Sequence, residues 1–253
     1  MQTTTNRSIR QHYQTGLSLV ELMIAMAISV TLLAGITQIV IANKDTYSFQ
    51  QSQSINQENS RFAYYFIDQI LSKAGYITAP QNALDQAFPA VAATAQCAAF
   101  LSGQIVATSL EGNGVCIRYQ RNNAADVDCA GNLIATANSF VTRLFFSAAN
   151  NSLMCGAQGA AAVELVDNIE SMQFSYRVNT SGTNLATLAT PSTTQWRDIT
   201  AIQANVLTAS EGNTSDIAQV YRFPLSSATT TTASDLRVYR SSLKTITLRN
   251  SVL

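Results

Sequence analysis

The chain has 253 residues, with 15 basic and 15 acidic side chains, one histidine and four cysteines. Only 12% of its residues are charged and no basic stripe is present, so we expect that no nucleic acid is bound directly. The single histidine is His12, which leaves the rest of the chain without the residue on which histidine triads and histidine metal sites depend. We also find no P-loop and no GxGxxG motif. These features argue against an enzyme and against a bound cofactor.

The N-terminal region joins a short cationic segment to a long apolar one. Residues 1–15 contain Arg7 and Arg10 and no acidic residue, and residues 22–43 carry no charge at all. As a helix, residues 22–43 would be about 33 Å long, enough to cross about 30 Å of hydrocarbon. Positive charge before such a segment holds that end in the cytoplasm. We therefore predict a single membrane pass, with the remaining chain on the outer side.

Two ordinary interpretations of this apolar segment do not account for all of it. A secretory signal has an apolar core of about 7–15 residues followed by a small-x-small cleavage site. Here the apolar run is longer, and Ala25-Met26-Ala27 lies inside it. An uncleaved single-pass anchor explains the length but not Glu21, because a lone carboxylate in an apolar span is costly unless it finds a partner. Glu21 is therefore a candidate functional residue.

The junction before the span resembles the prepilin signature, in which glycine precedes Phe, Thr, Leu and a glutamate at the fifth mature position. The positions that match are Gly16, Leu19, Val20, Glu21, Leu22 and Met23, while Leu17 replaces Phe and Ser18 replaces Thr. The resemblance implies that a prepilin peptidase cleaves between Gly16 and Leu17 and methylates the new amine of Leu17. Residues 1–16 would then be a cleaved leader.

In this hypothesis Glu21 serves assembly. Cleavage creates a cationic amine at Leu17, which the Glu21 carboxylate of an incoming subunit would neutralise within the filament. At about 4 Å, such a pair is worth about 4 kcal/mol at an effective dielectric constant near 20. Leaving either charge alone in lipid is costly, so the pair would set the axial register between neighbouring subunits.

Beyond the span the chain becomes polar but keeps a helical pattern as far as Gly75. Apolar residues recur at helical spacing and form a stripe that we expect to pack against a globular head: Ile55, Phe62, Phe66 and Ile70, broadened by Ala63, Ile67, Leu71 and Ala74. The pattern predicts one helix from about Leu17 to Ala74. Its half over 17–43 would be transmembrane, and its half over 44–75 would be amphipathic.

Residues 76–253 have the pattern of a β-rich head. Residues 76–125 are irregular apart from a strand at Gly114–Gln120, and the Thr/Ser-rich stretches 179–195 and 226–234 are predicted to be loops. Further strands are predicted over Thr142–Ser147 and Ser152–Cys155 as a hairpin, Ala162–Val178 with a break at Asp167-Asn168, Ile199–Thr208, Tyr221–Leu225, Leu236–Tyr239 and Thr245–Leu248. A long helix followed by an antiparallel sheet is an α+β fold.

All four cysteines follow the span, which places them in the oxidising compartment and predicts two disulfides. Four cysteines allow three pairings. We favour Cys97 with Cys116 and Cys129 with Cys155, because each pair closes a short sequence interval. By the chain-entropy estimate, a loop of about 26 residues gains roughly 3–4 kcal/mol from its disulfide.

Other polar and aromatic residues have structural interpretations. The segment from Asp126 begins like a calcium loop, but Ala130 and Ala137 occupy positions where ligands are required, so we expect a turn there and no metal site. Three more side chains are interpreted as structural: Trp196 in the core, and Asp68 and Lys73 on a solvated helix face.

The chain after the span resembles PilW-type minor pilins of type IV pili. The segments that carry this resemblance are Asn56–Ala63, Asp68 with Lys73–Tyr76, Cys116–Gln120, Leu165–Asp167, Glu170–Phe174 and Leu248–Asn250. It implies a pilin fold, in which a long N-terminal helix, half of it transmembrane, packs on an antiparallel head with disulfides. It also implies a subunit of the tip or priming complex, with other minor pilins, the major pilin and a tip adhesin as partners. Such complexes support pilus assembly, twitching motility, adhesion and DNA uptake.

The same resemblance implies a location. The subunit would wait in the inner membrane of a Gram-negative bacterium with its head in the periplasm, and would then enter the filament at the cell surface. Two alternatives remain open: a minor pseudopilin at the tip of a type II secretion filament, and a membrane-tethered periplasmic domain. Deletion of the gene separates the first alternative, because loss of twitching indicates a type IV pilin and loss of enzyme secretion indicates a pseudopilin. Retention of residues 1–16 would favour the tethered periplasmic domain.

Overall fold

The computed structural model describes residue 16, residues 18–179 and residues 185–251. The chain divides into two compact units, Met1–Tyr47 and Ser48–Leu253. Helix α1 runs from Leu19 to Leu71 and contributes to both. In the first unit, every described residue is exposed.

Helix α1 ends at Leu71 rather than at the predicted Ala74, because the last turn tightens. Lys73 N donates to Ile70 O at 3.2 Å and Ala74 N donates to Leu71 O at 3.0 Å, a spacing of three residues instead of four. Gly75 follows with a φ of +74°, and a side chain there would lie 2.9 Å from Ile105 Cδ1. The glycine therefore provides both the left-handed turn and the close approach.

The buried face of α1 in the second unit differs from the predicted stripe. Ile55 and Phe62 are 41% and 44% exposed, so the expectation that they pack into the head is wrong. The buried residues of α1 are Ser52, Asn56, Ser60, Ala63, Ile67, Ile70 and Leu71. This face is polar over its first half because it meets hydrogen-bonding groups of the head, and apolar over its second half because it enters the core.

A five-stranded antiparallel sheet forms one part of the head, with its strands in chain order. The strands are β1 Val106–Thr108, β2 Asn113–Tyr119, β3 Phe140–Ser147, β4 Ser152–Ala157 and β5 Val163–Val166. Strands β2, β3 and β4 confirm the predicted ones to within a few residues. Strand β1 is not predicted because three residues are too few to show an alternating pattern. A short helix, α2 Leu84–Ala87, lies before β1.

A four-stranded antiparallel sheet has the order β11-β8-β6-β7, and a two-stranded ribbon joins β9 and β10. These strands are β6 Ile169–Asn179, β7 Leu185–Leu188, β8 Ile199–Asn213, β9 Val220–Tyr221, β10 Thr231–Thr232 and β11 Arg237–Thr247. Two predictions are corrected here. The predicted loops 179–195 and 226–234 contain β7 and β10, and the two predicted C-terminal strands are one continuous strand, β11.

The break predicted at Asp167-Asn168 moves the chain between the two sheets. Strand β5 pairs with β4 in the first sheet, whereas β6 pairs with β8 and β7 in the second. Asn168 adopts a φ of +55°, a left-handed conformation that asparagine tolerates better than most residues. The same holds for Asn151, with a φ of +50°, in the hairpin between β3 and β4.

The main core lies between the two sheets and the second half of α1, and it includes Ile67, Leu71, Leu144, Met172 and Val206. A smaller cluster around Phe100 and Cys116 covers the opposite face of the five-stranded sheet. The structure joins Cys97 to Cys116 and Cys129 to Cys155, the pairing that the sequence intervals favour. Because Cys155 packs in the main core and Cys116 in the smaller cluster, the two disulfides stabilise opposite faces of one sheet.

Candidate functional site

The prepilin-like junction is only partly within the described residues. Gly16 and Ser18 are described and exposed, while Leu17 lies outside the described residues. Because α1 begins at Leu19, Glu21 is in its first turn. A carboxylate there interacts favourably with the positive end of the helix dipole. Sequence and structure thus agree on where Glu21 lies in the helix, and cleavage after Gly16 stays a prediction.

The Glu21 side chain is exposed. Within the part of the chain that the structure describes, no Lys or Arg nitrogen lies within 4.0 Å of its carboxylate. A charge in an apolar segment that makes no ion pair with its own described chain needs a counter-charge from another molecule if it enters lipid.

The apolar half of α1 has the properties of a membrane-spanning helix. An 18-residue window reaches a mean hydropathy of 2.3 with none of its residues buried, so by length and composition the helix could cross a membrane once. Its hydroxyl groups are satisfied internally: Ser29 donates to Ala25 O at 2.7 Å, and Thr37 donates to Leu33 O at 2.8 Å. Bonding to the preceding turn lets such residues enter lipid without an unpaired donor.

The second half of α1 is joined to the head by polar contacts at every fourth residue. Asn56 Nδ2 donates to Val238 O at 2.7 Å, and the Ser60 and Thr208 hydroxyls lie 3.3 Å apart. Tyr64 OH then lies 3.0 Å from Ser242 Oγ. Burial raises the pKa of Tyr64 to about 12, so its phenol is neutral and able to donate at physiological pH. Asn56 and Ser60 belong to the segment that carries the PilW resemblance, which was the signal in the sequence for this contact.

A buried arginine was missed in the sequence analysis. Arg118 has no exposed surface, and its guanidinium donates to four backbone oxygens: Phe88 O at 3.1 Å, Pro89 O at 2.6 Å, Leu101 O at 2.6 Å and Gln104 O. The rings of Phe88 and Phe100 lie 5.2 and 5.0 Å from it. Burial lowers its pKa to about 10, so Arg118 remains charged near neutral pH. It fixes residues 88–104 onto the outer face of β2. The signal in the sequence was the Cys116-x-Arg118 spacing, which places both side chains on one face of a strand.

A second buried arginine lies on the neighbouring strand. Arg143 Nε is 3.0 Å from Glu111 Oε2, and Arg143 Nη2 donates to Ala160 O at 2.8 Å. The arginine side chain is 3% exposed, so the ion pair holds the Glu111 turn, and the hydrogen bond holds the Ala160 turn, against β3. Both buried arginines therefore serve the structure of the head.

The other residues singled out in the sequence have structural contacts. Trp196 packs edge-on against Tyr176 at 4.9 Å and adjoins the main core. Asp68 Oδ1 lies 3.7 Å from Lys244 Nζ, with both side chains about half exposed. The Asp126 and Asp128 carboxylates accept backbone N–H groups of their own loop, including Ala130 N at 2.9 Å, as expected for a turn.

Comparisons with known proteins match two parts of the chain. A family model described as Type IV Pilus-assembly protein W matches residues 134–250, and one described as Prokaryotic N-terminal methylation motif matches residues 11–37. Among curated proteins, no relative matches the chain. A solved structure of the type IV-like pilin TTHA1219 from Thermus thermophilus is similar to 78% of this chain and 98% of its own, with 12% identity and a TM-score of 0.48.

The two family matches lie at opposite ends of the chain and point to one assignment. The methylation-motif match covers the junction and the first part of α1, and the PilW match covers strands β3 to β11 of the head. Together they include the N-terminal part of α1 and most strands of the head. The two matches support a type IV pilin of the PilW type.

Proposed function

We propose that this pilin is a minor subunit of a type IV pilus and belongs to the tip or priming complex that initiates assembly. The observation that carries the proposal is the combination of an exposed, membrane-compatible helix with a carboxylate in its first turn and a head matching the PilW family. Its partners would be other minor pilins, the major pilin and a tip adhesin. The complex would support twitching motility, adhesion and DNA uptake.

The proposal includes processing and location. Residues 1–16 are a leader that a prepilin peptidase removes, and Leu17 becomes the methylated N-terminus. Before assembly the subunit spans the inner membrane of a Gram-negative bacterium with its N-terminus in the cytoplasm and its disulfide-linked head in the periplasm. Mass spectrometry of the native polypeptide tests cleavage and methylation together, and an intact Met1 would favour a tethered periplasmic domain instead.

The assembly role of Glu21 is tested by Glu21→Ala, with Asp45→Ala as the matched control on the same helix. We expect the Glu21 variant to be processed normally, while its amount in sheared pili falls at least about tenfold, because a pair worth about 4 kcal/mol exceeds the 1.4 kcal/mol of a tenfold change. The Asp45 variant should reach the pili at the wild-type level. Immunoblots of membrane and pilus fractions measure both, and normal entry of the Glu21 variant would refute the ion-pair account.

Deletion of the gene tests the priming role. A priming subunit controls how many filaments start, so we expect few surface pili while the major pilin accumulates in the membrane. Twitching should be lost and type II enzyme secretion should continue. The reverse pattern would identify a pseudopilin of the secretion system.

A further inference from the structure

Strand β11 is the outer strand of its sheet over most of its length. Its one sheet neighbour within residues 185–251 and 18–179 is β8, with Arg240 opposite Thr208 and Thr245 opposite Gln203. Leu248 N donates to Thr200 O at 2.8 Å, so the even-numbered residues of this region direct their backbone groups toward β8. In an antiparallel ladder the odd-numbered residues then direct theirs outward.

The outward backbone groups are capped at only one end. Tyr239 N, at the start of the strand, donates to Gln219 Oε1 at 3.4 Å. Beyond it, Ser241, Leu243, Thr245 and Thr247 have no backbone partner on that side among the described residues. Leu243, Thr245 and Thr247 are exposed. Such an edge is a template for one more strand.

A polar groove runs beside this edge. It has a volume of about 620 Å³ and lies between β11 and one flank of α1 in the second unit. Glu58, Arg61 and Tyr64 line it from the helix, and Arg240 and Ser242 line it from the strand. Alternate side chains of a strand added to β11 would point toward this helix flank, because successive side chains point to opposite faces.

The groove has an excess of positive charge. Arg61 and Arg240 are exposed, and no carboxylate oxygen of the described residues lies within 4.0 Å of either guanidinium. The carboxylate lining the groove is Glu58, and Lys244 nearby is offset by Asp68. Charges on an edge discourage pairing with neutral or basic strands. Two guanidiniums against one carboxylate therefore select an acidic segment.

We propose that the edge of β11 from Ser241 to Thr247 binds an extended segment of a partner protein with acidic residues at alternate positions. The partner would add a strand to the sheet, and its acidic side chains would enter the groove between Arg61 and Arg240. Main-chain hydrogen bonds supply affinity in this mode of recognition, and the alternate side chains supply specificity. The proposal stands independently of the assembly role of Glu21, because it concerns the head alone.

A synthetic eight-residue peptide in which Val alternates with Glu is a suitable probe. We expect its fluorescent derivative to bind the full-length chain in detergent micelles saturably, and more tightly at low salt. Replacing every Glu with Lys should weaken binding at least about tenfold, and N-methylating alternate amides to block pairing should do the same. Equal binding of the Glu and Lys peptides, or no saturable binding of either, would overturn the proposal.

Variants of the chain locate the peptide on the edge. Leu243→Pro removes an outward N–H without removing a bond to β8, and should lower peptide affinity at least about tenfold. Leu243→Thr keeps that N–H and should bind within about twofold. Arg240→Glu should reverse the preference between the two peptides. Thermal unfolding shows whether each variant is folded, and peptide selectivity of the wild-type chain decides the matter if Leu243→Pro does not fold.

A second copy of this chain is the competing occupant of the edge. Sedimentation of the full-length chain would then show concentration-dependent dimers that Leu243→Pro abolishes, and the Glu peptide would not change their abundance. That result would overturn the proposal of an acidic partner. Monomers that bind the Glu peptide with one-to-one stoichiometry would support it.

Discussion

Arg118 shows how a charged side chain can organise a region with little regular structure. Residues 88–104 contain no strand of either sheet, and they are held by the guanidinium on one side and by the Cys97–Cys116 disulfide on the other. The charge is tolerated because four carbonyl oxygens and two aromatic rings surround it. A buried cation without a carboxylate is therefore stabilised by the backbone it orders.

This account predicts a large cost for Arg118→Met. The variant leaves buried carbonyl oxygens without donors, at about 1–3 kcal/mol each, so the loss of unfolding free energy should exceed about 3 kcal/mol. Arg118→Lys should recover little, because an ammonium group cannot reach four oxygens in a planar fork. Urea unfolding of the full-length chain measures both variants, and hydrogen exchange should show the loss of protection concentrated in residues 88–104.

The matched control is Arg222→Met, because Arg222 is exposed. Its effect should stay within about 0.5 kcal/mol. An Arg118→Met chain as stable as this control would show that the disulfide alone orders residues 88–104.

The residues with a strong local signature were predictable from the sequence, and Arg118 was not. Glu21 stands out because any charge in an apolar span is unusual, and the cysteines stand out because their number and compartment constrain them. Arginine in a strand is ordinarily a surface residue. Its burial depends on a segment that lies up to 30 residues before it in the chain, and the Cys116-x-Arg118 spacing indicates the face of the strand but not that segment.

Among the secondary-structure elements, the amphipathic half of α1 shows the clearest disagreement between the hydrophobic periodicity of the sequence and the residues that the structure buries. Hydrophobic periodicity selects Ile55 as a core residue, whereas the structure exposes it and buries its neighbour Asn56 completely. The reason is the surface that the helix meets, where Val238 O needs a donor and Thr208 offers a hydroxyl. Periodicity counts apolar residues and cannot register a hydrogen bond to a strand 182 residues away.

Two substitutions test whether Asn56, rather than Ile55, stabilises the packing of α1 on the head. Asn56→Leu makes the helix more apolar but leaves Val238 O without its donor, so we expect it to lower the unfolding free energy by about 1–3 kcal/mol. Ile55→Gln makes the helix more polar and should change it by less than about 0.5 kcal/mol. Thermal unfolding of the full-length chain in detergent shows which variant is less stable. If the Ile55 variant is the less stable one, the apolar stripe predicted from the sequence is correct.

The strands follow the same logic. Strands β3 and β4, which flank the hairpin turn at Asn151, were predicted closely, and the break at Asn168 was found from its turn residues. Strands β1 and β7 are three and four residues long and exist because a longer neighbour pairs with them, while β10 pairs with β9, which is equally short. These short strands are defined by pairing with a neighbouring strand, so the local sequence pattern does not predict them.

For the whole molecule, buried phenols link the packing of the head to pH. Burial raises the pKa of Tyr64, Tyr119 and Tyr176, which lie where α1 and the two sheets meet. An unfolded tyrosine titrates near pH 10. Folding therefore favours the neutral phenol, and the stability that this contributes is present below about pH 10 and is lost as pH rises further. Arg118 acts in the opposite direction, because burial lowers its pKa to about 10.

The difference in unfolding free energy between the wild type and Tyr64→Phe separates the effect of one phenol from these opposing effects. Tyr64→Phe keeps the ring, loses the hydrogen bond to Ser242, and leaves Arg118 unchanged. Below pH 10 we expect it to be less stable than the wild type by about 1 kcal/mol. Between pH 10 and 12 the phenol of Tyr64 ionises in the unfolded wild-type chain but stays neutral in the folded one, so the wild type loses unfolding free energy as pH rises. The Tyr64→Phe chain has no phenol at this position and does not lose it. The difference should therefore shrink, and it should reverse by about 1–2 kcal/mol near pH 12. Urea unfolding at each pH measures the difference. A difference that stays constant over this range would mean that the Tyr64 phenol titrates as it does in water, which the packing of α1 on the sheet does not allow.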